Sequence, residues 1–101
     1  PVQINVIPVN NEYHLEYAKK VVDELRSKGF RVELDARDEK MGYKIREAQT
    51  EKIPYMFVIG EKEMESRTIS VRRRKVGDMG TKSLEEAVAQ VAKEIEDKSR
   101  D

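Results

Sequence analysis

The sequence predicts an α/β domain, a mostly parallel sheet flanked by three helices, on three observations. Up to Gly60 the patterns run strand, helix, strand, helix, strand with short connections, which calls for right-handed crossovers and parallel pairing. The run from Tyr55 to Ile59, YMFVI, shows no polar alternation, so both its faces are expected to be covered, as in a central strand of a parallel sheet. Beyond Gly60 the order changes to a strand with no helix before it, a turn-rich link and one long final helix.

The first strand is VQINVIPV, rich in Val and Ile and closed by Pro8 and the pair Asn10-Asn11. Asn10 or Asn11 can cap the helix that follows. Leu15, Ala18, Val22 and Leu25 recur on one face of that helix, and Gly29 stands where a helix end favours a left-handed residue. FRVELDAR alternates Phe30, Val32 and Leu34 inward with Arg31, Glu33 and Asp35 outward, the pattern of a half-buried strand. Asp38 can cap a short, highly charged second helix with apolar positions Met41, Ile45 and Ala48, and Pro54 marks its end.

After the central strand, Thr68 to Arg74 reads as a strand antiparallel to a neighbour, and VGDMGTK leaves room for a short fifth strand. Ser83 and Glu86 form a capping box for the last helix, whose buried stripe is Leu84, Val88, Val91 and Ile95. The tail DKSRD is expected to fray.

The chain of 101 residues is expected to be one domain, residues 1–101, and its start at Pro1 on a strand-like pattern suggests a piece of a longer protein. With no cysteine and a single histidine, zinc-finger, iron–sulfur and thiol-redox chemistry are excluded, no metal is expected, and a reducing, cytoplasmic setting fits. No stretch approaches the ~20 apolar residues of a membrane span, so no membrane partner is expected. Charge is abundant and balanced, 20 Lys plus Arg against 20 Asp plus Glu. A general nucleic-acid binder carries a basic excess, so here only local clusters can bind RNA.

Ligands of an open parallel sheet bind beyond the carboxyl ends of its strands, where Val9 to Asn11, Asp35 to Asp38 and Gly60 to Glu63 converge. These segments hold no GxGxxG, no GxxxxGK[ST] and no glycine cluster, so no nucleotide cofactor is expected. His14, in the first turn of the first helix, reads as a solvated surface residue, and no triad can be assembled around it. In SVRRR, side chains two apart share a face. With Ile69 and Val71 inward, Ser70, Arg72 and Arg74 stand outward at ~7 Å steps, placed for bidentate recognition of a guanine edge or a phosphate, or alternatively to blunt a sheet edge. Lys40, Lys44 and Arg46, interleaved with Glu39 and Glu47, read mainly as a solvated helix face.

RVELDARDEKMGYKIREAQTEKIPYMFVIGEKEMES followed by ISVRRR resembles the C-terminal anticodon-binding domain of class II aminoacyl-tRNA synthetases, and within that group the threonyl-tRNA synthetases. GYKIREAQ, KIPYMFVIGEKE and VRRR together carry the resemblance, which covers essentially the whole chain. It implies a five-stranded mixed sheet with three helices and a non-catalytic task with no cofactor: holding the anticodon loop of threonine tRNA, with Glu63 and Arg72 reading its middle guanine. Asp38, where related sequences can carry asparagine, and Lys52, where they can carry arginine, fall near the bases. Arg74 and Lys44 gain weight as RNA contacts, and Tyr43 or Tyr55 as a stacking face. The parent synthetase is expected to be a homodimer and the isolated domain a monomer. The same scaffold also suits a regulatory protein-interaction module or an engineered domain without tRNA binding.

Overall fold

A computed structural model describes residues 2–99. The elements are β1 (Ile4–Pro8), α1 (Asn11–Ser27), β2 (Val32–Leu34), α2 (Met41–Thr50), β3 (Tyr55–Ile59), α3 (Glu61–Ser66), β4 (Thr68–Arg73), β5 (Gly77–Ser83) and α4 (Leu84–Ser99). One five-stranded sheet has the order β2-β1-β3-β4-β5. β1 pairs in parallel with β2 and β3, whereas β4 is antiparallel to both β3 and β5. The α/β architecture is the one the sequence predicts. The sheet is evenly mixed because α3 is too short to carry the chain back across the sheet, which takes a dozen or more residues.

Each helix begins or ends on a local signal. Asn10 caps α1, its Oδ1 accepting the Glu12 amide at 2.8 Å and the Tyr13 amide at 3.3 Å. At the other end Gly29 has φ +93°, and the amides of Gly29 and Phe30 donate back to Arg26 and Leu25. This double bond pattern satisfies two carbonyls that a helix end otherwise leaves open. α2 closes the same way, Lys52 donating to Gln49 and Ile53 to Ala48, but with Lys52 in the left-handed region at φ +65°. Ser83 accepts the Glu86 amide and donates to the Glu86 carboxylate, both at 3.1 Å.

The core is split by the sheet. On one face Ile4, Val6, Phe57, Ile59, Ile69 and Val71 pack against Ala18, Val21, Val22 and Leu25 of α1 and Ala87 and Val91 of α4. On the other, Ile7 and Met56 meet Ala48 of α2 and Ile53. All five residues of β3 are buried, as expected for a central strand. α2 covers this second face only beside β1 and leaves the β4–β5 half open, where Ser70 and Arg72 are half-buried and Thr81 is exposed.

Several expectations need correction. α1 turns on Tyr17, Ala18, Val21 and Leu25, with Leu15 only half-buried. Asp38 does not cap α2: the N-cap is Lys40, without a side-chain bond. Asp35 is buried at 9% exposure rather than outward, because the sheet ends there and Arg37 folds back onto it. β4 is an interior strand, so its arginines blunt no edge; β5, seven residues long, is the edge. A kink between Ser70 and Arg72 in the β4–β5 register falls where Gly80 takes φ +92°, the geometry of a bulge that only glycine enters without strain. α3 and its six residues were absent from the sequence reading. α4 runs to Ser99, and the fraying expected of Arg100 and Asp101 lies outside the described residues.

Candidate nucleic-acid interface

The open face is built by the period of β4. Ile69 and Val71 point into the core at 0% and 1% exposure, so Thr68, Ser70 and Arg72 lie on the opposite side. Arg72 sits opposite Met56 on β3 and Asp78 on β5. Its Nε is fully enclosed and has no hydrogen-bond partner in the protein. Because Nε is enclosed, the terminal nitrogens of this half-buried side chain are the donors within reach of a ligand on the open face.

Glu63 borders the same side from the carboxyl end of β3. It lines a shallow hollow with Ser66, Thr68 and Thr81, and Thr81 is the register partner of Ser70. Its Oε1 accepts the Gly60 amide at 2.8 Å, which fixes the carboxylate across the first turn of α3 and leaves Oε2 for other donors. A Cβ on Gly60 would lie 3.2 Å from that Oε1 and 3.3 Å from Val9, so the carboxylate depends on the bare backbone there. Thus Glu63 and Arg72 flank one face, with Ser70 between them along β4.

The remaining candidates divide between the two ends of α2. Lys52 is exposed at its C-terminal end, beside Arg74, whose Nε donates to the Gln49 carbonyl at 2.9 Å and whose amide donates to Pro54 at 2.8 Å. Asp38 is exposed at the other end, in the β2–α2 loop, and shares a hollow with Val9, Asn10, Asn11 and Glu39. Lys44 does not belong to the solvated face. It is 2% exposed, its aliphatic stem packed behind α2 and its Nζ donating to the Asp35 carbonyl at 3.0 Å, and burial pushes its ammonium pKa down. Tyr43 is 46% exposed, with the Arg37 guanidinium 5.7 Å from the centroid of its ring, whereas Tyr55 is buried at 3% with its hydroxyl bonded to Glu94.

The loop carrying Asp38 is held by a charge network that the sequence reading missed. Arg37 grips both carboxylate oxygens of Asp35, at 2.9 and 2.8 Å, and reaches Glu47 on α2 at 2.7 Å. Asn11 of α1 donates to the carbonyls of Ala36 and Arg37. The loop is thereby tied to both helices beside it. The Arg37 hydrogen bonds hold the Asp35 carboxyl below its usual range. Stability from ionised Asp35 is therefore fully present above the unfolded carboxyl pKa of ~3.9 and is lost as pH falls through the lower folded value. Asp35→Asn is expected to cost about 1.5 kcal/mol at neutral pH, the low end for a bond to a charged group because Arg37 is half exposed. Its urea midpoint should also fall less steeply than the wild type's below pH 4. Parallel acid limbs would show that Asp35 is not the linked group.

His14 is also corrected. It is 5% exposed, its Nδ1 accepting the Asn10 amide at 3.1 Å and its Nε2 lying 3.3 Å from Glu61 at the start of α3. Because Nδ1 accepts, Nε2 carries the proton and donates to that carboxylate. The ring joins α1 to α3 and so steadies the helix that bears Glu63. Among the described residues, no group of three His, Asp or Glu side chains is placed to hold a metal ion, and no helix is long and apolar enough to cross a membrane.

Comparison with known proteins gives a consistent result. The anticodon binding domain family matches residues 3–94. The threonine–tRNA ligase of Lactobacillus acidophilus is 50% identical over 101 residues, 100% of this chain and 16% of the relative. That of Halalkalibacterium halodurans is 55% identical over 94 residues, 93% of this chain and 15% of the relative. The crystal structure of the RNA binding domain of threonyl-tRNA synthetase from Cryptosporidium parvum Iowa II superposes with a TM-score of 0.86 at 30% identity, over 92% of this chain and 23% of the other. The chain thus spans 15–16% of the length of these curated relatives.

Proposed function

This chain belongs to the anticodon binding domain family, and on that premise we propose that it recognises the anticodon loop of threonine tRNA, reading the middle guanine, and performs no chemistry itself. ATP-dependent charging, and any pairing of subunits, would belong to the rest of a threonyl-tRNA ligase. The isolated domain would act as a monomer in the cytoplasm without a cofactor.

The observation that supports this reading most directly is the half-buried Arg72, held on a face with no helix over it and without a carboxylate within ion-pair distance among the described residues. Guanine offers acceptors at O6 and N7 and donors at N1 and N2. A guanidinium supplies the first pair and a carboxylate accepts from the second, so Arg72 and the free oxygen of Glu63 suit opposite edges of one base. Asp38 is offered to a neighbouring base, Lys52 and Arg74 to the phosphate backbone, and the ring face of Tyr43 away from Arg37 to a stacked base. Bases splayed from a single-stranded loop are the usual target of such readout.

Calorimetric titration with a threonine anticodon stem-loop tests this. Arg72→Ala should weaken binding by about 1–3 kcal/mol and remove most of the preference for guanine over adenine at the middle position. Equal losses on both loops would overturn the assignment of Arg72 to the guanine. Absence of saturable RNA binding by the wild type would instead favour a protein-interaction role for this scaffold.

A further inference from the structure

We propose that the end of the sheet formed by the β4–β5 turn, with Lys75, Arg74 and the adjacent Lys52, is a second RNA contact: a phosphate clamp for the paired stem whose loop lies on the open face. The inference rests on the RNA reading above and adds the direction in which the RNA lies.

The turn is a fixed platform. Val76 donates to the Arg73 carbonyl at 3.0 Å, and the turn is completed by Lys75 at φ +70° and Gly77 at φ +99°. Arg74 joins this turn to the end of α2 through its bonds to Pro54 and Gln49, so Lys75 and Lys52 are borne by one braced corner. Both lysines occupy the left-handed region, where a residue with a Cβ costs more than glycine. The comparable position after α1 is Gly29. Of the three non-glycine residues at positive φ among the described residues, Lys52, Arg67 and Lys75, two fall in this one corner, which points to a use for their side chains.

Those side chains are exposed and unpaired. Arg73 is engaged by Glu94 at 3.6 Å, but among the described residues neither Lys52 nor Lys75 has a carboxylate within ion-pair distance. The opposite end of the sheet carries both signs: Glu12, Asp38, Glu39, Glu61, Glu63 and Glu65 stand there with Arg37, Lys40, Lys62 and Arg67 around the ends of β1 and β3 and the starts of α1, α2 and α3. Lys75 follows Arg72 by three residues across the start of the turn, so the backbone of a loop held by Arg72 passes within reach of its side chain.

The test uses two probes, the threonine anticodon stem-loop and a linear heptanucleotide of the same loop sequence, titrated over a range of salt. Lys75→Ala should weaken stem-loop binding about five- to eight-fold at 0.1 M salt and lower the slope of log K against log salt by about 0.7–0.9, the counterion release of one phosphate. The heptanucleotide should change less than two-fold. Lys52→Ala should behave alike, whereas Lys20→Ala, on the exposed side of α1, should leave both probes at wild-type values. Stem-loop affinity and salt slope unchanged in Lys75→Ala would overturn the clamp while leaving guanine readout by Arg72 standing. Equal losses on both probes would move the contact to the loop and overturn its assignment to the stem. Loss of guanine preference is read only from Arg72→Ala, so failure of the clamp and failure of the anticodon reading give different results.

Discussion

Phe57→Ala is expected to lower the stability of the domain by about 3–5 kcal/mol, the range for emptying a fully buried aromatic site. Phe57 is 0% exposed at the centre of β3, with Val6 its register partner on β1 and Val71 on β4. Its ring lies on the α1–α4 side of the sheet, among the side chains of two strands that the backbone already holds 4.7–4.9 Å apart. The sheet cannot close over the missing ring without breaking its ladder, so most of the cavity stays. A domain of this size has only about 5–15 kcal/mol in total, and the variant should sit near the edge of folding. Urea denaturation followed by circular dichroism measures the loss. Phe57→Leu, which keeps most of the volume, should cost clearly less, and a loss below about 1 kcal/mol for the alanine variant would show that the site collapses freely.

Lys44→Ala is expected to be the second most damaging change, at about 2–5 kcal/mol, close to that of removing a buried methionine stem. The figure follows from burial. A lysine contacting phosphate from a solvated helix face would give a stable variant with weaker RNA binding and a reduced salt slope. The structure instead has the Lys44 stem packed against the interior and its ammonium on the Asp35 carbonyl. Stability should fall, and the salt dependence of RNA binding by the fraction that folds should be unaltered. Lys44→Met, which keeps the stem and loses the bond, should recover part of the loss, short of the ~1–3 kcal/mol left by an unsatisfied buried carbonyl. An alanine variant as stable as the wild type would put Lys44 back on the surface.

The features that were legible in the sequence are those written in local chemistry. Asn10 before α1, Gly29 after it, Ser83 with Glu86 before α4 and Pro54 ahead of β3 each act within a few residues, so reading along the chain finds them. The two-residue period of ISVRRR was enough to put Ser70 and Arg72 on a face apart from the core. The burial of polar groups was not legible, because what satisfies them is remote. His14 is answered by Glu61, 47 residues away, and Lys44 by a backbone carbonyl that no sequence pattern marks. Lysine stems are half apolar and can line an interior, which hydropathy hides. α3 escaped because six residues with Met64 as the one apolar anchor make no stripe. The Asp35–Arg37–Glu47 network was foreshadowed only by the density of charge between residues 35 and 47.

The strand order carries a kinetic implication. β1 lies inside the sheet between β2 and β3, and its pairing with β3 must wait until some fifty residues of chain have been gathered. The β4–β5 hairpin, joined by a three-residue turn, can close within microseconds once made. Assembly should then proceed from the later half of the molecule toward the earlier, with β3 docking on a finished ribbon, β1 joining the free edge of β3, and β2, whose only partner is β1, completing the sheet.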